Sequence, residues 1–131
     1  MAHTTRVELG DTLAARKTMV LTTFKADGTG VPTPVSVAVE SGRIFFRSYA
    51  ETWKAKRLRR NPLVEVTPST LRGKQRGPTL PARSQLLNGR DEAAARRALR
   101  HRHPFLQGVL VPLTHRVLRY HTLHYELLPR D

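Results

Sequence analysis

Two short turn signals divide the first half of this chain into three strand-like runs, and they restrict the possible folds more than any other feature. Asp27-Gly28-Thr29-Gly30 separates Thr18–Lys25 from Val31–Glu40, and Ser41-Gly42 separates Val31–Glu40 from Arg43–Tyr49. Glycine reaches positive φ at little cost, so both are hairpin chemistry. In the first run Met19, Leu21 and Thr23 share one face, and Val20, Thr22 and Phe24 share the other. The second run carries Pro32 and Pro34 near its start. Prolines there fit an edge, a bulge, or a place where a ligand approaches the backbone. The third run, with Ile44, Phe45, Phe46 and Tyr49, has strand composition.

Further along, Leu63–Thr67, Pro78–Asn88 and Arg119–Leu128 read as three more strands, with Pro68–Gly77 as an exposed hairpin loop. Helices are expected over Arg6–Lys17, broken at Gly10 with Asp11 capping its second half, after Thr52, and over Asp91–His103. The last has acids at its start, bases at its end and Pro104 as a stop. Phe105–Leu118 is apolar and has no clear assignment. No regular βαβ alternation is present, so a doubly wound sheet is not expected. Six short strands joined by hairpins predict a mainly β domain spanning residues 1–131, an antiparallel barrel with helices at its openings.

The stretch Arg43–Pro62 carries the densest chemistry. It holds seven basic residues (Arg43, Arg47, Lys54, Lys56, Arg57, Arg59, Arg60) against one acid, Glu51. Thr52 has the hydroxyl of an N-cap, and Asn61-Pro62 stops the helix. A strand that feeds a helix N-terminus offers unpaired N–H groups and the positive end of the helix dipole to an anion. Arg47 at the strand end and Lys54 in the first helical turn would add charge-assisted bonds to a phosphate. The competing reading is a solvated basic helix. Trp53 lies beside Lys54, as a stacking residue or as a core or interface residue.

The whole chain has 131 residues, 23 basic and 10 acidic, for a formal charge of +13. Such an excess calls for an anionic partner: nucleic acid, a phospholipid surface or a polyanionic small molecule. There is no cysteine, which excludes disulfides, thiolate metal sites and cysteine nucleophiles and fits a cytoplasmic location. No apolar run approaches the roughly 20 residues of a membrane helix, so membrane insertion is not expected. His101 and His103 end a helix, and His121 and His124 are three apart on a strand, hence on opposite faces. Neither pair has metal-ligand spacing, and all four read as surface residues. There is no G-x-S-x-G elbow, Walker A loop or Rossmann glycine fingerprint, and the acids form no evident pair. Catalysis, if present, would then rest on a cofactor that the protein positions and polarises, with no catalytic side chain of its own.

Three blocks together resemble a known family. They are G-x-P-x-P-V-x-V (Gly30 to Val37), R-x-F-F-R-S (Arg43 to Ser48) and T-W-K-A-K-R-L-R-R-N-P (Thr52 to Pro62). They are similar to the pyridoxamine 5′-phosphate oxidase-like split β-barrel proteins, and more closely to the actinobacterial branch that uses the deazaflavin coenzyme F420. The likeness continues through Leu63–Val66, Arg72-Gly73, the helix near Asp91 and a closing E-L-x-P from Glu126 to Pro129. It covers most of the chain from about Lys17.

The resemblance implies a homodimer with two cofactor sites at its interface. It implies that Arg47, Ser48, Thr52 and Lys54 hold the cofactor phosphate, with Trp53 contributing through its backbone or ring. The ring system would lie along Thr33, Pro34, Val35 and Ser36. Lys56, Arg57 and Arg60 are candidates for the anionic tail or for solvent, and Arg72 would reach the site from the second subunit. Flavin-phosphate members of the family usually bracket the second strand with arginine and lysine. Here that strand has only Pro, Thr, Val, Ser and Ala between Val31 and Val39, which favours the deazaflavin over FMN. The family also includes haem-binding proteins.

The expected activity is therefore hydride transfer from reduced F420 to an unsaturated or quinone-like small molecule. An FMN-dependent oxidase or reductase on the same barrel is the alternative. A nucleic-acid-binding module ranks below both, because the chain has no helix-turn-helix, zinc-finger or RNA-binding signature beside its charge.

Overall fold

The structure is a computed structural model, and it describes residues 4–49, 52–103 and 122–130. Its elements are α1 (Arg6–Leu13), β1 (Thr18–Phe24), β2 (Gly30–Glu40), β3 (Arg43–Tyr49), α2 (Trp53–Arg60), β4 (Leu63–Ser69), β5 (Leu80–Leu86), α3 (Gly89–Arg102) and β6 (Thr122–Pro129). The six strands close a barrel in the order β1-β2-β3-β6-β5-β4, and every neighbouring pair is antiparallel. This is the six-stranded split β-barrel that the sequence leads one to expect.

Turn chemistry sets the register. Ser41 and Gly42 both take positive φ, 52° and 78°, in a two-residue turn between the paired residues Glu40 and Arg43. That is the backbone of a turn whose twist matches the strands it joins. Strand alternation then puts Met19, Leu21, Val35, Val37, Ile44, Phe46, Val64, Val66, Tyr125 and Leu127 in one buried cluster inside the barrel. The Phe46 and Tyr125 rings stack there, 5.0 Å apart between centroids.

Two helices add to this core: α1 through Leu9 and Leu13, and α2 through Leu58. The third does not sit at an opening. α3 packs on the outer wall, where Ala95, Ala98 and Leu99 bury Ala38 of β2 and Phe45 of β3 in a separate cluster. Small residues at Ala95 and Ala98 let the helix approach the sheet closely. Helix α1 also corrects the sequence reading. It runs unbroken through Gly10, and its cap is Thr5 rather than Asp11. Thr5 Oγ1 accepts from the Glu8 N–H at 3.1 Å, and Glu8 Oε1 accepts from the Thr5 N–H at 3.1 Å. This reciprocal pair fixes the helix start, and a glycine with nothing near its Cβ position costs only helix propensity. The apolar stretch Phe105–Leu118 and the start of the expected last strand lie outside the described residues.

β2 is the strand that shapes the molecule. It pairs with β1 from Gly30 to Ser36, but with β3 only from Val37 to Glu40. Over residues 30–36 its second side has no strand neighbour among the described residues. Pro32 and Pro34 both lie in this open half. Spaced by two, they put both missing N–H groups on one side of the strand, and an open side is where that loss removes no ladder bond. Of the alternatives for these prolines, the edge is the one observed.

An ion pair between a buried carboxylate and a half-buried guanidinium ties the wall together. Glu126 of β6 is 6% exposed. It accepts from Arg43 Nη2 at 2.7 Å and from Arg43 Nε at 3.2 Å. Arg43 also reaches Asp91 of α3 at 3.2 Å, and its hydrogen bonds to the Glu126 carboxylate raise its pKa further, against the opposing effect of burial. Removing the guanidinium would leave a carboxylate inside the wall. Arg43→Ala should destabilise the fold by about 3 kcal/mol in urea denaturation, and Arg43→Ala with Glu126→Gln should recover part of that. A loss under about 1 kcal/mol for the single change would mean that water solvates Glu126.

Candidate functional site

Beyond Val37 and Phe46 the strands β2 and β3 part, and a cleft opens between them. One cavity of about 160 Å³ lies there, lined by Pro34, Val35 and Ser36 of β2, Arg47, Ser48 and Tyr49 of β3, and Lys54 of α2. Strand parity places Arg47 and Tyr49 on the same outward face of β3, and the Arg47 guanidinium stands 5.8 Å from the Tyr49 ring centroid. Ser36 and Pro34 share the outward face of β2, because Val35 and Val37 point into the core.

Thr52 makes the junction from β3 into α2. Its Oγ1 accepts from the Ala55 N–H at 3.1 Å and donates to the Tyr49 carbonyl at 2.9 Å. It is also 3.1 Å from Ser48 Oγ. Thr52 is thus the N-cap that the sequence predicts, with its hydroxyl committed to the turn. The cap starts α2 beside the cleft, which Lys54 of its first turn lines, and the first N–H groups of the helix precede its own bonding pattern.

Lys54 sets the electrostatics. It is half-buried, and no carboxylate pairs with it among the described residues. Burial pushes its pKa below the usual lysine value, and the charges of Arg57 and Arg47 push it down further. A partly desolvated ammonium between two guanidinium groups is costly in the empty fold. An anion in the cleft would relieve it.

The wall behind Arg47 holds a buried histidine. His124 pairs with Arg47 across β3 and β6, is 5% exposed, and donates from Nδ1 to Glu92 Oε2 at 3.4 Å. His103 is equally buried and donates from Nε2 to the Val37 carbonyl at 3.1 Å, at the point where β2 passes from β1 to β3. Burial lowers the pKa of both, so the neutral form is favoured. The sequence reading of these two as surface histidines is corrected here: α3 covers His124, and the end of α3 sets its C-cap residue His103 against β2. No group of three or more His, Asp or Glu residues gathers in metal-ligand geometry among the described residues.

A second, larger cavity of about 730 Å³ adjoins α2. It is lined by Lys25, Ala26 and Val31 of the β1–β2 hairpin and by Trp53, Lys56, Arg57 and Arg60. Trp53 is 72% exposed, with Lys56 Nζ 4.3 Å above its ring. It is therefore not a core residue of this chain. Arg57 spends its Nε on the hydroxyl of buried Thr23, at 2.6 Å.

The residues named from the sequence thus divide. Pro34, Val35, Ser36, Arg47, Ser48 and Lys54 line one cleft. Thr52 shapes it without lining it, and Thr33 lies alongside on the open strand. Trp53 and Arg57 line the larger cavity. Arg72 lines a third, between the α1–β1 connection and the β4–β5 loop of its own chain. The sequence reading missed Tyr49 and Lys25. Tyr49 was legible in principle, as the i+2 neighbour of Arg47. Lys25 was not, because its place depends on a hairpin folding back toward α2.

No family model and no curated protein matches this sequence. Solved structures do. The conserved hypothetical protein Rv2991 from Mycobacterium tuberculosis superposes with a TM-score of 0.67 at 19% identity, over 98% of this chain and 82% of that one. The heme storage protein HutZ from Vibrio cholerae gives 0.69 at 16% identity, over 95% and 89%. A candidate pyridoxamine 5′-phosphate oxidase from Listeria innocua gives 0.64 at 16% identity, over 96% and 94%. These are pyridoxamine 5′-phosphate oxidase-like split barrels, and the likeness shows that this chain has their fold. No helix among the described residues is long and apolar enough to cross a membrane.

The state of Lys54 gives a test that needs no ligand. Lys54→Met removes a strained charge and keeps its aliphatic stem. The variant should be as stable as the parent or more so, by up to about 1 kcal/mol in thermal or urea unfolding. Destabilisation beyond about 1 kcal/mol would show that Lys54 holds the fold together rather than waiting for an anion.

Proposed function

We propose that the cleft between β2 and β3 holds the phosphate of a flavin-type cofactor, that the cofactor is the deazaflavin F420 in preference to FMN, and that the protein is a hydride-transferring oxidoreductase. The observation that carries this is Lys54: a half-buried cation between Arg47 and Arg57, without a carboxylate among the described residues, at the capped start of a helix. Arg47, Lys54, the Ser48 hydroxyl and the first N–H groups of α2 suit a phosphate in charge and in size of cavity. Thr52 holds that geometry.

The ring system would lie along the open side of Thr33–Ser36. There the Pro34 carbonyl and the N–H and C=O groups of Ser36, on the side of β2 turned away from β1, have no strand neighbour among the described residues and would orient it. The larger cavity, with Lys25, Lys56, Arg57, Arg60 and the Trp53 ring, has the charge for an anionic tail. This supports the deazaflavin, whose phosphodiester and oligoglutamate tail extend well past the first phosphate. FMN has no comparable extension. When bound, the cofactor supplies the hydride, and the acceptor is an unsaturated or quinone-like small molecule. The protein supplies binding, orientation and exclusion of water. A cavity of about 160 Å³ holds a phosphate but not a ring system, and a second copy of the chain facing the open β2 edge would complete the site. We therefore also propose the homodimer.

Calorimetric titration of the cofactor-free protein with F420 and FMN, side by side, tests the reading. F420 should bind in the micromolar range or tighter, and FMN more weakly. Arg47→Ala and Lys54→Ala should each cost about 1.5–3 kcal/mol of binding. The reverse preference would move the protein to flavin chemistry. Binding of neither would overturn the proposal and return the basic surface to the nucleic-acid reading.

A further inference from the structure

Of the residues lining the third cavity, the cofactor reading uses only Arg72, toward the second subunit's site. The cavity has a volume of about 570 Å³ and lies between the α1–β1 connection and the β4–β5 loop. Arg16 and Lys17 stand on one wall, and Arg72 and Lys74 on the other. No carboxylate lines it, and none of the four cations forms an ion pair among the described residues. Between the charges the walls are apolar: Ala15 lies on one side, and Leu71, 74% exposed, on the other.

The loop wall is built rather than loose. The Thr70 N–H donates to the Lys74 carbonyl at 2.9 Å, and the Gly73 N–H donates to the Thr70 carbonyl at 2.9 Å. The Thr70 hydroxyl accepts from the Lys74 N–H at 3.1 Å, and the Arg76 N–H donates to the Pro68 carbonyl at 2.7 Å. Gly73 takes φ +88° and leans on Pro34, where a Cβ would come within 3.3 Å of the proline ring. These bonds hold Leu71 out at the tip, with Arg72 and Lys74 beside it. A large apolar side chain presented in this way beside cations favours a ligand with both characters.

We propose that this cavity is a second ligand site, for a small amphiphile with one anionic group (carboxylate, sulfonate or phosphate) on an apolar body. Its volume falls within the roughly 300–1,000 Å³ of small-molecule sites. The cations on opposite walls would take the anionic group, and Ala15 and Leu71 would cover the apolar body. The site shares no lining residue with the β2–β3 cleft. It lies across the Thr18–Ser36 strand pair from it. The proposal does not depend on what the cleft holds.

Anilinonaphthalene sulfonate, whose fluorescence rises in apolar surroundings, is a suitable probe for the folded full chain at physiological salt. It should bind the parent protein saturably. Arg16→Ala with Lys74→Ala removes one cation from each wall and should weaken binding about tenfold or more. Leu71→Asn leaves the charge unchanged and should weaken it about threefold or more. Lys56→Ala with Arg60→Ala removes the same charge from the other basic cavity and should change affinity by less than about twofold. Decanoate should displace the probe, and decanol at the same concentration should not. Equal weakening by the two double variants would reduce the effect to net charge and overturn the proposal. So would unchanged binding in both the Leu71 variant and the Arg16/Lys74 variant. Cofactor titration of the Arg16/Lys74 variant is a separate readout, so failure here and failure of the cofactor reading are told apart.

Discussion

β2 changes neighbours along its length: it pairs with β1 from Gly30 to Ser36 and with β3 only from Val37 to Glu40. The rest of the site follows from that departure. Where β2 leaves β3, a strip of backbone lies open, and the residues that would have been covered by a neighbouring strand face a cleft. Pro32 and Pro34 make the opening inexpensive, because they bring no N–H groups that need partners. His103 holds the branch point by donating to the Val37 carbonyl, and α3 covers the β3-paired half of β2 through Ala38. One strand thus serves as barrel wall at one end and as an open edge at the other.

Electrostatics divides in the same way. In the closed wall, charge is compensated: Glu126 is buried with Arg43, and Asp91 and Arg6 stand nearby. Lys54 in the cleft and the cations lining the two larger cavities form no ion pair among the described residues. Lys54 shows the cost, since burial and two guanidinium groups all disfavour its charge. Uncompensated charge of this kind reduces stability in the free protein and raises affinity for an anion. Ten of the 23 basic residues line these three openings.

Local chemistry was legible in the sequence. The Ser41-Gly42 turn, the Thr52 cap and the Asn61-Pro62 stop act within a few residues of themselves, and all three stand as read. The prolines of β2 were readable as an exception but not as an edge, since that choice depends on where β3 pairs. Helix α1 was misjudged through a local signal that was present: Thr5 and Glu8 have the spacing of a capping box, and they outweigh Gly10. Other outcomes were tertiary and had no local signal. His103 and His124 look like surface residues in an arginine-rich chain, until α3 is laid across β2, β3 and β6. Arg47, Arg57 and Arg72 look alike in sequence, yet they line three different cavities. Trp53 gave no indication that it would stand outside the core.

The central claim is that Lys54 is held in an unfavourable charge state that an anion in the β2–β3 cleft relieves. The most direct measurement is the titration of the Lys54 side-chain amine by NMR, with and without the phosphate-bearing cofactor. The account predicts a pKa below that of an ordinary lysine in the free protein and a clear rise on binding, with matching proton uptake. An ordinary value in the free protein, or one that does not move when the cofactor binds, would contradict it.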